Sequence, residues 1–154
     1  MFLIITALGF YSCTTKDGIS PAAQSGRSSI YIVEKNQKAA EVFIDGDKTG
    51  WVTPVLIQEI APGPHRFFFH YPGYTTGFDS RTIYCRENEL ENLTFEMSKV
   101  PSGDARFSVP EPDVNIYVDH MNFGPVKSIA GLPSGAYTIF AQNGNKISDF
   151  QDVN

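Results

Sequence analysis

Two cysteines and three histidines are the only thiol and imidazole groups in the 154 residues. Cys13 and Cys85 are too few for a thiolate zinc site, which needs four close ligands. His65 and His70 lie five residues apart, an odd separation that puts them on opposite faces of a strand, and His120 has no histidine at ligand spacing. No GxSxG, HExxH or glycine-rich phosphate loop occurs, so no catalytic residue, metal, cofactor or small-molecule substrate is expected. The 12 Lys and Arg are scattered among 17 Asp and Glu, and a net charge of −5 without a basic cluster argues against nucleic acid as a partner. Any apolar run approaching the ~20 residues of a membrane-spanning helix is also missing.

What the chain has is punctuation. Its 13 glycines and 10 prolines fall between short runs rich in Val, Ile, Thr, Tyr and Phe. That pattern predicts an all-β protein of short strands and tight turns. The length suits two small cores better than one large one. In SSIYIVEKN, Ile30 and Ile32 face one way; in AEVFIDG, Val42 and Ile44 share one face and Phe43 takes the other. TPVLIQEI, HRFFFHYPGY, RTIYCREN and ENLTFEMS follow as further strands, with Leu93, Phe95 and Met97 on one side of the last. Alternation groups Cys85 with Ile83, which suits a buried, inert thiol.

The hairpin EVFIDGDKTGWVTP, with a turn at Asp45-Gly46, returns as NIYVDHMNFGPV. Val42 to Asp45 fall on Ile116 to Asp119 at an offset of 74, which also carries Gly50 to Gly124. Gly63 meets Gly135 at an offset of 72, so two residues are missing from the second copy. Shared apolar faces and turn glycines at near-constant spacing predict a structural repeat.

The order of signals in the first copy resembles the PEGA domain of bacterial and archaeal envelope proteins. The matching elements are Ile44-Asp45-Gly46, Gly50, Thr53-Pro54, Pro62-Gly63 and Gly73-Tyr74. The resemblance covers residues 29–99; the second copy, 105–154, departs from it at His120, which replaces the turn glycine, and lacks the Thr-Pro pair. It implies a small antiparallel β-sandwich, an accessory module of extracytoplasmic proteins, and no catalytic residues. Asp45, Gly46, Gly50, Pro62, Gly63 and Gly73 are then structural turn-formers.

The N-terminal MFLIITALGFYS is apolar and stops at Cys13, after which TTKDGISPAAQSGRSS is polar. Residues 1–12 read as a signal peptide and 13–28 as a flexible tether. FYSC resembles the lipobox of bacterial lipoproteins, which implies a lipid on Cys13; Phe10 stands where that motif usually has Leu, and the usual basic residues before the apolar run are absent. A simple cleaved signal, or a disulfide from Cys13 to Cys85, is the alternative. Thr15, rather than Asp, at the second position after Cys13 favours the outer membrane where sorting rules of that kind apply.

Aromatic residues stand near turns at Trp51, Tyr71, Tyr74 and Tyr84, and Trp51, Tyr71 and Tyr74 are the candidate contacts for an envelope protein or a glycan, set against packing in a small core. Asp45, Asp47 and Thr49 superficially match an oxygen-ligand loop, but Leu56 stands where such a loop needs its bidentate Glu. The expectation is a lipid-anchored, non-catalytic envelope protein: a complete module at 29–99, a linker at 100–104 and a partial module at 105–154. From Gly135 only 19 residues remain, enough for KISDFQDV as one return strand but not for both closing strands. The second copy must therefore be covered by the first or accept a partner's strand.

Overall fold

Alternation decides the first strand. In β1 (Ser28–Glu34), Ser28, Ile30, Ile32 and Glu34 are buried while Tyr31 faces outward, the two-residue period of a half-buried strand. The computed structural model describes residues 26–77, 80–108 and 113–148, with the backbone of 151–153; the expected signal peptide, lipidation site and most of the tether lie outside them. After β1 come β2 (Glu41–Ile44), β3 (Asp47–Val52), β4 (Val55–Ile60), β5 (Gly63–His70), β6 (Tyr74–Thr75), β7 (Arg81–Cys85), β8 (Leu90–Phe95) and β9 (Ser98–Lys99). The second half adds β10 (Ser102–Arg106), β11 (Asn115–Val118), β12 (Met121–Gly124), β13 (Ser128–Pro133), β14 (Tyr137–Asn143), β15 (Lys146–Ile147) and β16 (Gln151–Val153). The fold is all-β, with no helix among the described residues.

A three-stranded sheet, β4-β1-β8, pairs β1 antiparallel to β4 and parallel to β8. It lies over one face of a nine-stranded sheet ordered β15-β14-β11-β12-β3-β2-β5-β7, with β16 also on β14. Ile30, Ile32, Leu93 and Phe95 from the small sheet meet Val42 and Phe67 from β2 and β5, giving the first sandwich core. The next residue along each of those two strands points the other way: Phe43 and Phe68 enter a second core with Ile116, Val118, Phe123, Ile129 and Leu132. Each buried phenylalanine contributes about 1.5–3 kcal/mol, so β2 and β5 stabilise both halves at once.

The two copies meet through equivalent strands. β12 pairs parallel with β3, Asn122 opposite Asp47. Because matching strands lie side by side and point the same way, the two apolar faces fall on opposite sides of the common sheet. The backbone repeats as well: φ is 55° at Asp45 and 52° at Asp119, 79° at Gly50 and 76° at Gly124, 66° at Glu59 and 61° at Gly131.

Two local expectations are revised. KISDFQDV is not one return strand; β15 and β16 pair separately with β14. In the stretch 100–104, residues from Ser102 onward belong to β10, paired antiparallel with β13, because Ala105 has apolar Ile129 opposite it and joins the second core. The second core is covered from within the chain, by the Phe43 and Phe68 face of β2 and β5.

Phe43→Ala should therefore cost about 3–5 kcal/mol and lower the midpoint of a single thermal transition reporting on both halves. A fragment of residues 102–154 should show no cooperative transition in calorimetry, whereas 26–101 should retain one.

Candidate functional site

The hairpin tip between β2 and β3 is the first place where charged groups converge. Both tip residues have positive φ, 55° at Asp45 and 98° at Gly46, as a tight two-residue turn requires. The Asp45 carboxylate accepts from the Arg66 amide at 2.8 Å and meets His65 Nδ1 at 2.6 Å, while its own amide donates to the Arg66 carbonyl at 2.8 Å. Burial pulls the Asp45 pKa up, but the Arg66 amide and His65 outweigh it and hold the carboxyl below its usual value. The second copy repeats the clamp: the Thr138 amide donates to Asp119 at 2.9 Å and Asp119 donates back to the Thr138 carbonyl at 2.8 Å. Asp47 and Thr49, which with Asp45 superficially match a cation loop, are likewise engaged, Asp47 by Asn122 at 3.3 Å and Thr49 by the Val42 carbonyl at 2.7 Å. Among the described residues no group of three or more His, Cys, Asp or Glu is placed to hold a metal ion.

The turn residues also join the copies. The Asn122 amide donates to the Gly46 carbonyl at 2.7 Å, and the Gly73 amide to the Gly131 carbonyl at 2.8 Å. A Cβ on Gly46 would stand 2.7 Å from the His120 carbonyl oxygen, so this glycine is required by close approach as well as by its φ. Gly50 and Gly63 keep positive φ with open space around them, and Pro62 is exposed just before β5.

The three candidate aromatics separate. Trp51, near the end of β3, is 51% exposed. Tyr71 and Tyr74 are half-buried against the first core, in an edge contact with centroids 5.3 Å apart, and Lys38 Nζ lies 4.9 Å from the centre of the Tyr74 ring. Among the described residues no ring contact joins Trp51 to either tyrosine. Beside the hairpin tips a cavity of about 890 Å³ is lined by Arg66, Phe68, His70, Asp119, His120 and Tyr137, among others. Burial depresses the His70 pKa. Cys85 is a buried free thiol whose pKa burial pushes up, which removes thiolate character.

Sequence reasoning passed over Glu34. Its carboxylate is buried and accepts from the amides of Asn36 at 2.9 Å, Lys38 at 3.0 Å and Met97 at 3.0 Å, with Lys38 Nζ at 3.8 Å. Burial raises its pKa; the amides of Lys38 and Met97 and the Lys38 charge more than offset this, and the net shift is downward. The available signal was parity, since Glu34 continues the buried series Ile30, Ile32. Thr53 has a comparable post: its Oγ1 accepts from the Ala40 amide at 3.0 Å and donates to the Lys38 carbonyl at 2.6 Å, next to the cis Thr53–Pro54 bond.

The charged turn residues Asp45 and Asp119 thus serve the sandwich's own backbone. Residues 28–101 match the family model of the PEGA domain, a family of non-enzymatic modules. No curated protein matches the sequence. Among solved structures, the Bacillus anthracis TIE protein is similar at 15% identity and a TM-score of 0.35, over 84% of this chain and 31% of that one.

Gly46→Val should lower the melting temperature by the equivalent of at least about 1–2 kcal/mol, from left-handed strain, with the His120 contact adding to it. Because the folded pKa values of Glu34 and Asp45 lie below their ordinary values, the stability they confer is complete above the ordinary carboxylate range and is lost as pH falls through it. Glu34→Gln should flatten the acid side of the stability profile measured by urea titration at a series of pH values.

Proposed function

We propose that the protein is a non-catalytic envelope lipoprotein whose paired β copies form one unit that binds an envelope protein or serves a structural role at a membrane surface. The observation that carries this reading is the use of the family's signature residues: Asp45, Gly46 and Gly73 are engaged in strand clamping and in joining the copies, so they build a body rather than a reaction centre. The apolar segment ending at Cys13 supports a lipid at that cysteine, with residues 13–28 as a stalk that enters β1 directly. Thr15 favours the outer membrane as the anchored site.

A second reading, a glycan- or peptidoglycan-binding module, is favoured by one observation, the solvent-facing indole of Trp51. Tyr74 adds little to it, because its ring is committed to Tyr71 and Lys38.

Cys13→Ala should move the protein from the membrane fraction to the soluble fraction; persistence in the membrane fraction would refute acylation. Trp51→Ala should leave sedimentation with purified peptidoglycan unchanged if the protein-binding or structural reading holds. Loss of sedimentation in that variant would favour the glycan reading instead.

A further inference from the structure

The outer face of the β4-β1-β8 sheet sets apolar side chains at three exposed positions, among the polar Ser29, Asn92 and Thr94. Tyr31 on β1 is 39% exposed and faces Leu56 on β4, 46% exposed; Leu90 on β8, beside Ser29, is 56% exposed. The second copy supplies the control. Its β10-β13 pair aligns Ala105 with Ile129 and Arg106 with Ser128, as β1-β4 aligns Ile30 with Ile57 and Tyr31 with Leu56. Through these pairings, with Leu56 related to Ser128 at an offset of 72 and Tyr31 to Arg106 at 75, the outward Tyr-Leu pair of the first copy is an Arg-Ser pair in the second. The same architecture forms with polar residues at those positions, so folding does not explain the apolar ones. Trp51 and Val52, both exposed, lie at the end of β3 just before the chain crosses into β4.

We propose that this face, together with Trp51, rests in the interfacial layer of the bilayer to which the chain is tethered. The inference rests on the anchored reading above. Three observations select a lipid surface as the occupant. The stalk that would follow Cys13 ends at β1, the central strand of this sheet, so this is the part of the folded chain nearest its anchor. Trp and Tyr favour the water–hydrocarbon boundary; Tyr31 is in the patch, and exposed Trp51 stands five residues before Leu56, where the chain leads into β4. A handful of side chains is far short of the 20–30 residues and roughly 800 Å² per partner that hold a stable protein complex, whereas an anchored protein needs only a weak contact to be oriented. With a net charge of −5, contact with a zwitterionic surface avoids charge repulsion.

The single tryptophan makes the test direct. The full chain is coupled through the Cys13 thiol to maleimide-bearing lipids in phosphatidylcholine vesicles, the Cys85 thiol being buried. Trp51 emission should shift to shorter wavelength and be quenched when the acyl chains are brominated. The double variant Tyr31→Arg, Leu56→Ser, which writes the second copy's residues into the first, should keep its melting temperature and lose the quenching. Leu90→Ser, at an exposed position, provides the same comparison should the double variant melt early. Unquenched Trp51 in the tethered natural chain overturns the proposal, as does equal quenching in the folded variants or a blue shift that appears without vesicles as protein concentration rises. Because the link is chemical, failure here is distinct from failure of acylation, which the fractionation of Cys13→Ala reports.

Discussion

Burial of β2 and β5 on both faces is the constraint on which the rest of the molecule depends. A strand in a two-layer sandwich ordinarily has one dry and one wet side. Here Val42 and Phe67 close the first core and Phe43 and Phe68 open the second. The second copy uses the back of the first as a wall of its core. The dependence runs one way, since the first core draws its buried members from residues 30–97 alone, while the second draws two of its largest from the first copy.

The joint follows from that asymmetry. A side chain at Gly46 in the first hairpin tip, or at Gly131 within β13, would hold the copies apart, and the two glycines let carbonyls and amides approach directly. Asp45 and Asp119 then fix each tip against its neighbouring strand. The outward-facing groups that look ligand-like in the sequence are thus satisfied internally.

Much of the fold was legible because period-two alternation is a local property: Ile30 with Ile32, Val42 against Phe43, and Leu93 with Phe95 and Met97 all take the faces that their spacing dictates. The repeat was legible because the turn residues recur. The double use of β2 was not, since alternation tells which residues share a face but not how many faces are covered; Phe43 and Phe68 become core residues only through residues of the second copy. Glu34 escaped notice for a related reason, its role depending on amides that the chain brings round from Met97. Among the aromatic candidates, sequence could not separate Trp51 from Tyr71 and Tyr74, because nearness to a turn does not say whether a ring folds back on the core.

The position of β1 has a mechanical consequence. It is held between β4, which pairs with residues 28–32, and β8, which pairs in parallel with residues 29–34, and it is the first of the described strands from the N-terminus. A pull transmitted from that end acts along the strand and loads both ladders in shear, so their hydrogen bonds share the force instead of opening singly from one end. The strand that receives the load is therefore the one least easily peeled away.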